Sequence, residues 1–513
     1  MSKVEQETTR EKVEHPTREE RAARGVLARE RALPASHAGW TPGPDRPDPV
    51  GLIEEQNARR DPDLVPVRHG RMMASPFTFY RGAAKIMAAD LATTPTCGLE
   101  VQLCGDAHLS NFGVYGSPER SLVFDINDFD ETLPGPFEYD VKRLAASLTV
   151  AASNNGFSAA DAFDITKTCV TAYREAMADF AAMRTLDVWY AHLSEDELRQ
   201  GMLQTTAAMV GEGKAKVKIE EKGKGKGKGK GKNGGKGRES LSAKQAKKVE
   251  KRFEKNAAKA RGRDSLQALA KLTEVVDGTH RIISDPPVIV PARELQSTYG
   301  MSTELLEEII VKQFHEYRSS LPLDRRLLLE RFQLIDAARK VVGVGSVGTR
   351  AFIALMQGAD EGDPLFLQVK EATASVLEGP LHRSRFRQAG ERVVQGQRLM
   401  QATSDIFLGW SRGHEDGRYF YWRQLRDMKG SAAVEQMGVE GLKYYAGVCG
   451  WTLARAHARS GDPVAIAAYL GTDDTFDTAI TDFSRRYAEQ NERDFAEFTE
   501  AVRSTRIEAV EGV

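Results

Sequence analysis

Cysteine, aromatic residues and long apolar runs are all scarce in this sequence of 513 residues. The four cysteines, Cys97, Cys104, Cys169 and Cys449, include no CxxC pair, which disfavours a zinc knuckle or a disulfide framework and predicts free thiols. No apolar run approaches the ~20 residues that a bilayer-spanning helix needs. The N-terminal residues are charged and lack the apolar core of a secretory signal. We therefore expect a cytosolic protein that does not contact a membrane.

The net charge of −1 offers no overall attraction for polyanions, but it averages over one strongly basic stretch. Lysine dominates residues 214–263, and glycine and lysine nearly alternate from Lys222 to Lys232. Because glycine entropy and like-charge repulsion both oppose compact structure, we predict a disordered insertion at residues 213–263. A solvated loop is the simpler interpretation of this stretch. Weak binding of nucleic acid or of an acidic partner through counterion release is the alternative.

Apolar periodicity outside that insertion predicts an α+β protein with two strand-rich regions. Strand patterns cover residues 99–103, 112–115, 122–126, 332–369 and 419–425, and helical patterns cover residues 141–152, 159–183, 304–317, 385–401 and 431–513. The first 60 residues are charged and rich in proline, which predicts a flexible N-terminal arm over residues 1–60.

A polar loop follows the first predicted strand and combines three side chains suited to phosphate chemistry. Asp106, His108 and Asn111 lie where that strand gives way to a loop. A carboxylate there can accept a proton from a hydroxyl nucleophile, and a carboxamide oxygen is a hard ligand suited to Mg²⁺. Taken alone, the loop is equally well interpreted as a turn closed by an asparagine cap.

A second acidic cluster, residues 125–131, ends the next predicted hairpin. Asp125 and Asp128 face opposite sides of an extended chain, so only one of them can face a metal ion beside Asn111. A solvated acidic face explains such a cluster equally well on its own. One hairpin joins the two clusters, however, and together they indicate a magnesium-dependent site.

The first cluster resembles a known catalytic loop. Residues 104–111, Cys-Gly-Asp-Ala-His-Leu-Ser-Asn, are similar to the HGDxHxxN loop of the aminoglycoside-phosphotransferase branch of the protein-kinase superfamily. Residues 127–129, Asn-Asp-Phe, followed by Tyr139 and Asp140, resemble the metal-binding segment of that branch and its trailing acidic residue. The chain departs from the pattern at Cys104, where the branch usually carries histidine.

This resemblance implies a role for each matching residue. It implies that Asp106 is the catalytic base, with His108 beside it, and that Asn111 and Asp128 hold Mg²⁺. Asp125 is the alternative metal ligand.

A glycine-rich loop and a lysine appear far downstream, although kinases carry their phosphate clamp upstream of the catalytic loop. The glycine-rich loop, residues 343–348, lies between two strand patterns, whereas a Rossmann fingerprint requires a helix to follow. Lys370 ends the next strand, where a kinase-like lobe carries its phosphate-binding lysine. We predict that nucleotide phosphates are bound by Lys370 and by the loop residues Gly343, Gly345, Ser346 and Gly348.

Two further nucleotide-site contacts are predicted by the same resemblance. Glu391, on the following helical pattern, is the expected partner of Lys370, with Gln395 as its substitute. The strand at residues 419–425 resembles the one that precedes the interlobe hinge of kinases. Backbone groups near residues 426–428 are therefore predicted to contact adenine.

The order of these parts implies a two-lobed, protein-kinase-like fold of the aminoglycoside-phosphotransferase type that is circularly permuted. The catalytic part comes first, in residues 61–212, and the nucleotide-clamping lobe and a helical remainder follow in residues 264–430 and 431–513. If the parts form one unit, Lys370 lies within contact range of the Asp128 region. Residues 75–82, 127–131 and 394–410 also resemble a bacterial family named domain of unknown function 2252, a name that implies no activity.

We accordingly expect transfer of a phosphoryl group to an unknown hydroxyl acceptor, with ATP and Mg²⁺ as cofactors. A catalytically silent nucleotide-binding scaffold with a polyanion-binding lysine tract is one alternative. A metal-dependent hydrolase is the other, and it would use His108, Asp106, Asp125 and Asp128. Arg81 is a candidate contact to substrate or phosphate, and a structural salt bridge is an equal alternative for it.

Overall fold

A computed structural model describes residues 15–205, 250–251, 253–296, 300, 302–341, 343–414, 417–425 and 427–512. Residues 206–249, which hold most of the predicted disordered insertion, and residues 1–14 of the predicted arm lie outside the described ranges. Helix accounts for 54% and strand for 15% of the structure, which confirms the predicted α+β class. Within these ranges, no helix combines the length and the apolar character that a bilayer crossing requires.

The helices and strands alternate irregularly along the chain. The helices are α1 (Arg18–Arg31), α2 (Pro49–Asn57), α3 (Val65–Met73), α4 (Pro76–Gly82), α5 (Ala84–Leu91), α6 (Phe137–Asn154), α7 (Ala159–Ala182), α8 (Thr185–Tyr190), α9 (Ser265–Leu272), α10 (Thr303–Ser319), α11 (Leu323–Leu329), α12 (Ala389–Met400), α13 (Val439–Ser460), α14 (Pro463–Leu470) and α15 (Thr475–Arg503). The strands are β1 (Glu100–Leu103), β2 (Phe112–Gly116), β3 (Leu122–Ile126), β4 (Leu133–Pro136), β5 (Leu193–Ser194), β6 (Thr273–Val276), β7 (Thr279–Ile282), β8 (Ile289–Pro291), β9 (Gln333–Lys340), β10 (Ala351–Gln357), β11 (Pro364–Ala372), β12 (Gly409–Arg412), β13 (Tyr419–Gln424) and β14 (Gly430–Ser431).

A six-stranded antiparallel sheet carries the second strand-rich region, in the order β12-β13-β11-β10-β9-β8. The glycine-rich loop connects β9 to β10, so strand follows strand as predicted and the Rossmann arrangement is excluded there. Lys370 on β11 lies opposite Tyr421 on β13, which places both side chains on one face of the sheet. The end of β11 lies beside the start of β13, because Ala372 pairs with Tyr419.

The first strand-rich region is the predicted β2–β3 hairpin, in which Phe112 pairs with Ile126. The polar loop of residues 104–111 precedes this hairpin and the acidic cluster follows it, so both lie at the same end. The backbone N–H of Asn127 donates to the carbonyl of Asn111 over 2.7 Å and ties the two together. Downstream residues extend this sheet, since Gly430 of β14 pairs with Val114.

Helix α6 forms the centre of the main core, and every residue from Phe137 to Ala152 is buried. Its apolar side chains pack with α7, α13 and α15, while a separate core lies under the six-stranded sheet. Charged side chains are rarely buried without partners. The buried Asp140 and Arg143 of α6 therefore need polar partners, and both find them in the predicted catalytic loop.

The prediction of a flexible arm over residues 1–60 is wrong for the residues that the structure describes. Helix α1 begins with a capping box between Thr17 and Glu20, and α2 has Pro49 at its first turn. Arg46 donates to Asp90 over 2.7 Å and to Asp494 of α15 over 2.6 Å. Pro34 and Pro49, two of the prolines in this segment, thus begin helices, a position that proline tolerates well.

All four cysteines are buried free thiols, as predicted.

A buried ion pair fixes the β2–β3 hairpin to the C-terminal helices. Asp125 of β3 binds the guanidinium of Arg455 on α13, and both side chains are about 1% exposed. The second carboxylate oxygen of Asp125 accepts from the backbone N–H of Ala402 over 2.8 Å. Asp125 is therefore an internal structural carboxylate.

We predict that the substitution Asp125→Asn destabilises the protein by about 3–5 kcal/mol, because it leaves the guanidinium of Arg455 buried without a countercharge. Urea unfolding at neutral pH, followed by tryptophan fluorescence, measures the change. The matched control is Asp474→Asn, which breaks the exposed Lys167–Asp474 pair and should leave the stability nearly unchanged. Equal losses in the two variants would contradict a structural role for the Asp125–Arg455 pair.

Candidate active site

A cavity of about 760 Å³ brings together residues from three distant parts of the chain. Its size falls in the range of pockets that hold nucleotides or drug-sized ligands, roughly 300–1,000 Å³. The predicted site residues that line it are Asp106, His108, Asn111, Asp128, Gly343, Gly345 and Ser346. The cavity thus combines the catalytic-type loop, the acidic cluster and the glycine-rich loop.

The backbone before Asp106 is held in place by Asp140 of α6. Its carboxylate accepts from the N–H of Cys104 over 2.7 Å and from the N–H of Gly105 over 3.0 Å. Gly105 has a φ of +87°, and a Cβ there would lie 2.2 Å from the carbonyl oxygen of Glu131. Only glycine fits this turn. Cys104 stands where the resemblance expects a histidine, but an imidazole from elsewhere lies nearby. Nε2 of His457 lies 3.3 Å from Asp140, which binds this loop.

Asp106 lies at the cavity wall with one carboxylate oxygen bound. Nε of Arg143 donates to its Oδ1 over 2.8 Å. Burial raises the pKa of Asp106, and the charge of Arg143 opposes that rise. Sequence reasoning missed Arg143, although an arginine one turn after Asp140 on a buried helix was a usable signal.

His108 lies behind Asp106 and is uncharged. Its Nε2 is 3.7 Å from Oδ2 of Asp106, and its Nδ1 is buried with no hydrogen-bond partner among the described residues. Burial lowers the pKa of His108 well below its ordinary value, and the nearby Arg81 and Arg143 lower it further. A neutral imidazole can orient a neighbouring group but carries no charge to the cavity.

Asn111 and Asp128 provide the oxygen ligands that we predicted for a metal ion. Nδ2 of Asn111 donates to the carbonyl of Asp106 over 2.8 Å, which leaves the carboxamide oxygen as an acceptor. Burial and the charge of Asp130 both raise the pKa of Asp128, an excess of negative charge that a divalent cation would relieve. Mg²⁺ is commonly bound by one or two such oxygens together with substrate phosphates. The residues present therefore fit Mg²⁺.

Asp125 is not part of this group, and its prediction as a metal ligand is wrong. It does not line the cavity, and Arg455 and the Ala402 amide occupy its oxygens. Across the described ranges, no cluster of three or more His, Cys, Asp and Glu side chains has the arrangement of a metal centre. This geometry disfavours the hydrolase site built from His108, Asp106, Asp125 and Asp128.

Lys370 contacts the acidic cluster, as predicted for parts that form one unit. Its Nζ lies 2.6 Å from Oδ2 of Asp130 and 3.8 Å from Oδ1 of Asp128. Burial disfavours the charged lysine, but the two carboxylates outweigh burial and raise its pKa. The hydroxyl of Tyr421 donates to the other oxygen of Asp130 over 2.5 Å.

The predicted Lys370–Glu391 ion pair is wrong. Among the residues described, the carboxylates paired with Lys370 are Asp128 and Asp130. The neighbouring Arg392 faces inward instead and donates to the backbone carbonyls of Asp130 and Thr132. The side of α12 that faces the core is thus set by Arg392, which leaves Glu391 partly exposed.

The glycine-rich loop faces the cavity with its backbone. Gly343 has a φ of +68°, and a Cβ there would meet no atom within 4 Å. The hydroxyl of Ser346 lies 3.5 Å from Asp130. Gly348 lies behind the cavity wall, and its carbonyl accepts from the N–H of Asp61 over 2.7 Å. The N-terminal residues therefore support this loop, which the sequence did not indicate.

The structure disagrees with the predicted adenine contact at residues 426–428. Arg426 lies outside the described residues. The carbonyl of Asp427 accepts from Gly116, and the N–H of Met428 donates to Arg263, each over 2.9 Å. These two groups are already bound within the chain.

Residues 253–261, at the end of the segment predicted to be disordered, are helical. Ala257 and Ala260 of this helix pack against Met428 and Leu122. For this part of residues 213–263 the disorder prediction is wrong, because alanines on one face of the helix bury against Met428 and Leu122.

Sequence comparison finds a family profile described as an uncharacterized protein conserved in bacteria (DUF2252), which matches residues 60–228 and 229–501. The chain belongs to the DUF2252 family. No curated protein and no solved structure matches it significantly. The DUF2252 match covers the polar loop, the acidic cluster, the glycine-rich loop and Lys370, so the whole cavity lies inside the family region apart from residues before 60.

Glu131 ends the acidic cluster of this DUF2252 protein and carries a perturbed carboxyl group. It lines the cavity, and its Oε2 accepts from the backbone N–H of Val376 over 2.7 Å. Burial raises its pKa from 4.5 to about 7. The folded state therefore binds more protons than the unfolded state between these values, and the stabilising contribution is lost as pH rises through about 7.

We predict that Glu131→Gln, which keeps an acceptor for Val376 but cannot ionise, becomes more stable relative to wild type as pH rises. Between about pH 5 and pH 8 the difference in unfolding free energy should change by about 1–2 kcal/mol in favour of the variant. Urea midpoints across this range measure it. Glu119→Gln, at an exposed position, is the control and should show no trend. A pH-independent difference for Glu131→Gln would contradict the raised pKa.

Proposed function

We propose that this DUF2252 protein is a Mg-ATP-dependent phosphotransferase with a two-lobed, circularly permuted, protein-kinase-like fold, and that it phosphorylates a hydroxyl group. The observation that carries the proposal is the contact between Lys370 and the acidic cluster, made across 240 positions of sequence and in the order opposite to that of kinases. Two magnesium-type ligands, Asn111 and Asp128, line one cavity, and Lys370 contacts its acidic wall 3.8 Å from Asp128. These are the parts that phosphoryl transfer requires.

Each side chain then has a defined task. Lys370 and the backbone of Gly343 and Gly345 would bind the nucleotide phosphates. Asn111 and Asp128 would hold Mg²⁺, which neutralises charge on those phosphates when bound. Asp106 would accept a hydrogen bond from the acceptor hydroxyl and take its proton, with a base strength that burial increases.

Arg143 acts through Asp106 and is a positioning residue. It fixes one carboxylate oxygen by the 2.8 Å contact from Nε, which holds the side chain of Asp106 at the cavity wall. Its charge also limits how far the pKa of Asp106 rises. Because phosphoryl transfer depends mainly on positioning and electrostatics, a carboxylate held in this way suits the reaction.

The permuted arrangement is supported by the position of α13. The hydroxyl of Tyr445 on this helix donates to the carbonyl of Leu109 over 2.9 Å, and His457 lies against Asp140. The helix thus packs on the polar loop although it follows it by more than three hundred positions. This is the relation expected of the helix that leads into the catalytic loop in an unpermuted chain.

The first test of this function is thermal unfolding of the full chain with and without Mg-ATP. A ligand at a hundred times its dissociation constant adds about 2.7 kcal/mol, which raises the midpoint by a few degrees. We expect this shift in wild type and a loss of most of it in Lys370→Met and Asp128→Asn. Lys271→Met, which changes an exposed lysine outside the cavity, should keep it.

ADP release, measured in parallel with a coupled assay, separates an enzyme from a silent scaffold. The enzyme releases ADP at a rate that Asp106→Asn lowers by at least about a hundredfold. A scaffold shows the midpoint shift with no ADP above the background of Asp106→Asn. An unchanged midpoint in every sample at millimolar Mg-ATP contradicts the nucleotide site itself.

A further inference from the structure

One wall of the cavity carries cationic side chains that the nucleotide site does not use. Arg59, Arg60, Arg81 and Arg383 all line the cavity. Arg81 makes no hydrogen bond and no ion pair with any described residue, and its Nε is buried. The structural salt bridge that was the alternative for Arg81 is therefore not formed in the described part of the chain.

Four carboxylates that line the cavity already have cationic partners. Asp106 is bound by Arg143, and Asp130 by Lys370. Glu371 is bound by Arg418 over 2.7 Å, and the exposed Glu55 by Lys85. Glu131 and Glu378 accept from the backbone N–H groups of Val376 and Ser375. These four carboxylates are therefore already neutralised by cations other than Arg81.

Burial makes two of these cations, Arg60 and Arg81, costly without an anion, whereas Arg59 and Arg383 are exposed. Burial lowers the pKa of Arg60 to about 10 and also lowers that of Arg81. An arginine fork matches the oxygens of a phosphate or a carboxylate, and each such charge-assisted contact is stronger than a neutral one. A ligand anion would provide the missing countercharge.

We infer that the acceptor is an anionic hydroxyl compound, whose phosphate or carboxylate group binds Arg81 together with Arg59 and Arg383 and so places the hydroxyl at Asp106. This inference rests on the proposed phosphotransferase function. In the reaction the acceptor oxygen forms a bond to the γ-phosphorus of ATP. The bond from that phosphorus to the β,γ-bridging oxygen breaks, ADP leaves with the electron pair, and the hydroxyl proton passes to Asp106.

The test is isothermal titration calorimetry with three probes of similar size, namely glycerol 3-phosphate, glycerate and glycerol. Each is titrated into the full chain alone and into the chain with a non-hydrolysable Mg-ATP analogue. We expect at least one anionic probe to bind and glycerol not to bind, and the stronger of the two anions identifies the group that the arginines prefer. Arg81→Gln and Arg383→Gln should each weaken the anion by about tenfold or more.

Arg387→Gln is the matched control, because Arg387 is exposed, lies close to Arg383 in sequence and does not line the cavity. It should leave anion binding unchanged. Three outcomes would overturn the inference. Equal binding of glycerol and the anions, or no binding of either, would remove the anionic acceptor. A loss of Mg-ATP binding in Arg81→Gln that matches its loss of anion binding would assign the arginine to the nucleotide.

The proposed function fails separately from this inference. Its own failure is the absence of a Mg-ATP midpoint shift in wild type, which the anion titration without nucleotide does not depend on. An anion that binds through Arg81 while Mg-ATP does not bind would keep the cationic site and remove the phosphotransferase assignment.

Discussion

The buried contact between Lys370 and Asp130 holds the two strand-rich regions together. The side chain of Lys370 is only 3% exposed, and a lysine taken out of water costs several kcal/mol unless a carboxylate accompanies it. Strand β11 can therefore be buried only where the segment after β3 reaches it. Tyr421 and Arg392 bind the same acidic segment, through the carboxylate and the backbone carbonyl of Asp130. The position of Asp128 at the cavity follows from these contacts.

Local patterns predicted the elements that carry the site, because strand and helix periodicity depends on near neighbours in sequence. The β2–β3 hairpin and the strands on either side of the glycine-rich loop are at the expected places. Ion-pair partners were predicted less well, since a partner depends on which residue of a helix faces inward. On α12 the inward-facing residue is Arg392 and not its neighbour Glu391. Sequence patterns do not locate the start of a helix, here Ala389, to within one residue.

Composition led to a wrong prediction in two segments, residues 15–60 and 253–261, which we expected to lack structure. Residues 15–60 are indeed rich in proline and charge, but the contacts of Arg46 with Asp90 and Asp494 hold this segment against the fold. No local sequence pattern indicates those contacts. Lysine content likewise hid the apolar face of residues 253–261, where Ala257 and Ala260 bury against Met428. A small side chain such as alanine contributes little to an apolar average, yet it allows close packing.

The hinge contacts bear on how a nucleotide would be selected under the proposed function. A buried polar group that is already hydrogen-bonded gains little from a second partner, and losing its first partner has a cost. The N–H of Met428 and the carbonyl of Asp427 are in that state. A base that used them would first have to displace Arg263 and Gly116. The groups suited to phosphates and anions are instead Arg81 and the backbone of the glycine-rich loop, which line the cavity, and Lys370, which contacts its acidic wall. Under the proposed function, discrimination by this site would therefore rest on the charge and geometry of the transferred group and of its acceptor, more than on the identity of the base.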